Sequence, residues 1–171
     1  MKTYVLGFIA LGLTNLMIAQ NNIVASVNVS NHAVYSKSKA VINMEYLNTA
    51  SHNDISNKIK KIQKVVANYD IKKADVYQSK NNSTYDVTFK EGDNIVVAVY
   101  NNDGTLISCK ENYQSIKLPY AVSSKITRDY PGWAFKNVEC NILYSKDETT
   151  SIAYQIVIKQ GNKTKRIKIT V

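Results

Sequence analysis

Histidine, cysteine, proline, glycine and tryptophan are all scarce in this chain, with 2, 2, 2, 6 and 1 residues among 171. A Ser/His/Asp or Cys/His constellation needs a histidine set against a nucleophile. The two available, His32 and His52, stand in the less regular first third, and no serine or cysteine sits in a recognisable nucleophile motif. The chain has no CxxC pair, HExxH helix or EF-hand loop to hold a metal. Asn101, Asn102 and Asp103 run straight into Gly104 with no later acidic ligand in step, so they read as a hairpin turn and not a calcium loop. The glycines are scattered, and no GxGxxG or Walker cradle for phosphate occurs. These absences predict a non-catalytic protein that uses no cofactor and no metal.

Long apolar runs are missing too, with one exception. Met1 and Lys2 precede an almost unbroken apolar stretch from Tyr4 to Leu13, followed by Leu16, Met17, Ile18 and Ala19. A charged start, apolar middle and small-residue exit are the parts of a secretory signal peptide, with cleavage expected between Ala19 and Gln20. The run is shorter than the ~20 apolar residues of a membrane span, and nothing comparable follows. The expected mature chain is therefore exported to the periplasm or beyond, with no transmembrane segment and no cysteine near the cleavage point to carry a lipid. It has about 150 residues, enough for one core. Cys109 and Cys140 would then enter an oxidising compartment; spacing leaves open whether they form a disulfide or serve as two small apolar fillers.

The mature chain divides into residues 20–50, read as an extended leader whose last part packs on the body, and a domain over 51–171. From Ser51 the apolar residues Ile55, Ile59, Ile62, Val66 and Tyr69 follow helical spacing, with Lys58, Lys60, Lys61 and Lys64 mostly opposite. Strands are expected next: Ala74 to Tyr77, then Tyr85, Val87 and Phe89 in alternation, Ile95 to Tyr100 after a turn at Gly92, and Thr105 to Cys109 after a turn at Gly104. Pro119 suits the first turn of a second helix carrying Val122, Ile126 and Tyr130, and Pro131 with Gly132 ends it. Trp133 reads as a loop side chain closing one end of the core. Strands around Val138 to Tyr144, Tyr154 to Ile158 and Ile167 to Val171 complete the chain.

One half echoes the other. Tyr69 answers Tyr130 at an offset of 61, and the run from Tyr85 to Gly92 answers Tyr154 to Gly161 at an offset of 69. The expected fold is α+β, an antiparallel sheet with two amphipathic helices on one face, built from a tandem helix-plus-strands repeat over about 51–113 and 115–171. The segments from Tyr100 to Leu106, Leu118 with Pro119, Asp129 to Trp133, and the Tyr154 strand together resemble the PepSY-like family of secreted Bacteroidetes proteins, whose architecture is similar to the β-lactamase-inhibitor-protein fold. That resemblance implies a helix-backed antiparallel sheet, an envelope or extracellular setting, and a role as a peptidase inhibitor or regulator. No inhibitory residue carries over, since no matching motif identifies one.

Alternation then predicts two sheet faces. Tyr85, Val87, Phe89, Ile95, Val97, Val99, Tyr154, Ile156, Ile158, Ile167 and Ile169 are expected to meet the helices. The reverse face is expected to carry Val96, Tyr100, Leu143, Val157, Lys159, Arg166 and Lys168, an apolar, aromatic and basic mixture that either suits an envelope or extracellular protein or merely satisfies strand propensity or lies covered by residues 20–50. Lysine and arginine exceed aspartate and glutamate by 9, and by 8 once Lys2 leaves with the leader. In an exported protein such a field is either a lysine-rich solvated surface or one directed at anionic surfaces, glycans or acidic proteins and not at nucleic acid. A basic protein adhering to anionic lipid or polysaccharide is the alternative reading.

Overall fold

The structure is a computed structural model that describes residues 23–29, 42–51, 54–79 and 83–171. The expected signal peptide, its cleavage point, His32 and His52 lie outside the described residues. Among the described residues seven strands form one sheet, β1 (Ile23–Asn28), β2 (Thr84–Glu91), β3 (Asn94–Asn101), β4 (Leu106–Gln114), β5 (Ala134–Ser145), β6 (Ser151–Gln160) and β7 (Lys163–Thr170). Their order in the sheet is their order in the chain. Every neighbouring pair is antiparallel except β1 with β2. Three α-helices among the described residues accompany the sheet: α1 (Met44–Ala50), α2 (Asn57–Asn68) and α3 (Tyr120–Asp129). The parallel β1–β2 pair needs a long crossover, and α1 and α2 supply it. The protein is thus α+β, and from α2 onward a helix is followed by three strands twice.

Short turns decide which side chains share a face. Glu91 pairs with Asn94 across a two-residue loop whose first residue, Gly92, has φ 56°, a left-handed conformation glycine adopts at little cost. Two loop residues place Tyr85 opposite Tyr100, Val87 opposite Ala98 and Phe89 opposite Val96. Directly opposed residues point to the same side, and all six are fully buried. This corrects the expected β3 phase: Val96 and Tyr100 are core residues, while Ile95, 40% exposed, lies on the reverse face with half-buried Val97 and Val99. The Tyr100 hydroxyl donates to the Val66 carbonyl at the end of α2 (2.7 Å).

The helix at 57–68 forms as its periodicity predicts. Ile59, Ile62, Val65 and Val66 are buried, each worth about 2 kcal/mol of transfer free energy. Lys61 and Lys64 are exposed, but Lys58 reaches back to the Gln114 carbonyl (2.9 Å). Two expectations fail here. Ala74 to Tyr77 is not a strand: a 3-10 turn, Ile71–Lys73, precedes it, nucleated where Asp70 accepts from the Lys72 amide. The leader is not extended throughout, since Met44–Ala50 is helical with Tyr46 and Ala50 buried. Seven residues carry too few apolar positions to announce a helix. Tertiary contacts hold it, among them Asn43, whose side chain accepts from the Leu106 amide (2.8 Å) and donates to the Gly104 carbonyl (3.3 Å).

Tyr46 also leads to a carboxylate inside the core. Glu111, in the middle of β4, is 3% exposed. It accepts from Tyr46 Oη (2.8 Å), Tyr113 Oη (2.6 Å) and Gln63 Nε2 (3.0 Å). Burial without a counter-charge pushes its pKa up to about 7, although the three hydrogen bonds pull the other way.

Cys109 and Cys140 are both free and buried. They sit on adjacent strands, but Cys109 pairs with Tyr144 and Cys140 with Tyr113, four residues further along β4. At a rise of ~3.4 Å per residue their Cα atoms are about 14 Å apart, twice the span a disulfide bridges. Burial raises both thiols, Cys140 to about 12. Both are expected to stay unreactive toward a disulfide-exchange reagent in the folded protein and to react together on unfolding, even after passage through an oxidising compartment. Rapid labelling of the native protein would contradict that.

α3 begins after Pro119, as expected, and buries Val122 and Ile126. Tyr130 follows, its ring 6.4 Å from that of Trp133 and beneath the Lys165 ammonium at 4.5 Å. Trp133 is half-buried against the core, as its place in the loop predicts.

Candidate binding face

The reverse face of β5–β7 takes its shape from register. Gln160 and Lys163 close a second two-residue hairpin, with Gly161 at φ 56°. That pairing sets Val157 opposite Arg166 and Gln155 opposite Lys168. On the other flank Val157 faces Asn137 and Gln155 faces Glu139. The resulting rows, Asn137–Val157–Arg166 and Glu139–Gln155–Lys168, line a shallow depression of about 550 Å³. Asn137 Nδ2 donates to Glu139 Oε1 (3.0 Å), holding the only carboxylate among these six side chains at the depression's β5 wall. A register shift between Phe135 and Asn137 ends the depression at its far end, as a bulge does when it bends a strand.

Of the residues expected to form a binding surface, this arrangement brings together Val157, Arg166 and Lys168, with exposed Lys159 one alternate position beyond Val157. Leu143 lies further along β5 beside Lys110 and Ser151 and is 53% exposed. Val96 and Tyr100 contribute nothing here because they are core. Asn137, Glu139 and Lys110 were missed by sequence reasoning, although alternation from Leu143 along β5 places the first two on the same face. Ile95 and Val97 were missed through the β3 phase, and counting the residues in the Gly92 turn would have found them.

Three ion pairs occur among the described residues, Lys61–Glu91, Lys73–Asp70 and Lys125–Asp129; none uses a β7 cation. The face offers two cations, three amides or carboxylates and the half-exposed aliphatic Val157. Among the described residues no group of three His, Cys, Asp or Glu side chains could hold a metal ion, and no helix is long and apolar enough to cross a membrane. No family model, curated protein or solved structure matches this chain.

Proposed function

We propose that the protein is an exported, non-catalytic interaction module that binds an envelope or extracellular protein through the reverse face of β5–β7. The carrying observation is the juxtaposition of half-exposed Val157 with Arg166 and Lys168, with exposed Leu143 further along the same face of β5. Aliphatic surface beside forked and flexible cations suits a protein surface better than a small molecule, because the depression is open and its walls are as polar as they are apolar.

Contacts from the helices support a reverse face of β5–β7 that the described helices leave open. Tyr46 of α1 packs edge-on against Tyr144 (5.1 Å), α2 receives the Tyr100 hydroxyl, and Tyr130 after α3 lies under Lys165, opposite Ile158. Tyr144, Tyr100 and Ile158 are all buried, so each contact engages the core side of the sheet. A tandem helix-and-three-strand repeat is part of this reading, supported by the element order. In that order β2 corresponds to β5, whereas the residue correspondence at an offset of 69 lays β2 on β6, so the two alignments of the repeat differ by one strand. Export rests on the leader, and a peptidase as partner rests on the PepSY-like resemblance.

A photo-crosslinker placed at Leu143 is expected to trap one discrete protein adduct in the native envelope, retained at about 1 M salt where exposed charges are screened within ~3 Å. The same probe at Lys64, on the exposed side of α2, should not trap it. Equal labelling from both positions would remove the face from consideration. The four exposed β7 cations favour a second reading, adhesion to anionic lipid or polysaccharide, and binding abolished by that salt step would support it instead.

A further inference from the structure

The last strand in the sheet order, β7, has no neighbour on its outer side among the described residues. Its direction of hydrogen bonding follows from one contact: the Val171 amide donates to the Ile152 carbonyl (2.9 Å). Backbone groups of alternate residues point the same way in an antiparallel ladder. Residues 163, 165, 167 and 169 therefore bond inward to β6, and Thr164, Arg166, Lys168 and Thr170 direct their amides and carbonyls outward. The side chains of Arg166 and Lys168 lie on the reverse face, opposite Val157 and Gln155. Ile167 and Ile169 lie on the core side, where they are only half-buried against Ile156 and Tyr154.

We infer that β7 takes up an extended acidic segment of the partner protein by strand addition, with acidic side chains at alternate positions opposite Arg166 and Lys168 and an apolar residue between them opposite Ile167. This rests on the protein-binding reading above and specifies the partner's chemistry. Backbone pairing supplies affinity in such additions and alternate side chains supply the selection. Lys163, Lys165, Arg166 and Lys168 give this eight-residue strand four cations and no anion. A carboxylate directly across from each outward cation forms a favourable cross-strand pair, and the intervening apolar side chain completes the cover over Ile167 and Ile169. A second copy of β7 fits poorly, because it would set cations against cations, the repulsion by which edge lysines prevent like strands from joining.

The test uses a short peptide alternating glutamate with valine, and a second peptide of identical composition with the glutamates grouped at one end. The alternating peptide is expected to bind and to slow hydrogen exchange at the amides of Arg166 and Lys168. Lys168→Gln removes the ammonium alone and Lys168→Pro the outward amide as well; both should keep the β6 pairing and the wild-type circular dichroism, and the proline should weaken the peptide at least about tenfold more than the glutamine. The double change Arg166→Glu and Lys168→Glu should transfer preference to a peptide alternating lysine with valine, which keeps the inference testable if the proline variant fails to fold. Equal affinity for the grouped peptide without amide protection, or no peptide binding at all, overturns strand addition. Loss of peptide binding while the Leu143 adduct persists overturns this inference alone and leaves the protein-binding reading standing.

Discussion

Raising the pH from about 5 to 8 is expected to lower the unfolding free energy by roughly 2 to 3 kcal/mol, and Glu111→Gln is expected to flatten that dependence. The cause is the buried carboxyl of β4, whose pKa is pushed from 4.5 in an open chain up to about 7 in the fold. Between those values the folded state holds a proton that the unfolded state has released. Stability is therefore complete below about pH 4.5 and is lost as the pH rises through 7. Each unit of separation corresponds to about 1.4 kcal/mol. Asp103, held below the usual carboxylate value by hydrogen bonds from Thr105, acts with the opposite sign and only at lower pH. Glutamine preserves the shape of the site while removing the charge. Gln63 Oε1, buried and without a hydrogen-bond partner, can turn to accept from the new amide, and the hydroxyls of Tyr46 and Tyr113 can rotate to suit it. Urea midpoints at the two pH values for both proteins decide the matter. An equally steep dependence in the glutamine variant, or stability that climbs with pH, would show that another group is responsible.

Tyr100→Ala should cost about 4 kcal/mol, in the range for truncating a large buried aromatic side chain. The ring is fully buried beside Tyr69, with centroids 5.8 Å apart. Tyr100→Phe should cost only about 1 kcal/mol. It keeps the packing, and the Val66 carbonyl that loses the hydroxyl still accepts from the Tyr69 amide (3.2 Å). Truncation at 53%-exposed Leu143 to alanine is expected to change stability by no more than about 0.5 kcal/mol. The contrast is a direct measure of the β3 phase. If Tyr100→Ala unfolded at the wild-type denaturant concentration and Leu143→Ala did not, the sheet would have to be turned over.

Much of the architecture is legible along the chain. The helices at 57–68 and 120–129 declare themselves through apolar spacing and, for the latter, Pro119; β2 and β6 do so through strict alternation. What misled was parity. Ile95, Val97 and Val99 look at least as fit for a core as Val96, Ala98 and Tyr100, since both sets are apolar and suited to strands. Composition therefore cannot choose between them, and the two-residue Gly92 loop does. Cys109 and Cys140 posed a similar question, because adjacency of two strands says nothing of their stagger. Glu111 was invisible for the opposite reason: a glutamate in a strand reads as outward, and only the arrival of Tyr46, Gln63 and Tyr113 makes an inward carboxylate tolerable. The face residues Val157, Arg166 and Lys168 were found because β6 and β7 alternate cleanly.

Local chemistry thus determined by itself that this chain alternates helices with amphipathic strands, that turns fall at Gly92 and Gly104, and that its cations outnumber its anions. Those properties depend on neighbours a few residues apart, where spacing and backbone preference act directly. The tertiary structure alone decided which side of β3 is buried, that α1 forms on the sheet, that the two thiols stay apart, and that β7 is the last of the described strands in the sheet. Each of these depends on which distant segments lie opposite one another, and a shift of one residue in a ladder turns every side chain to the other face.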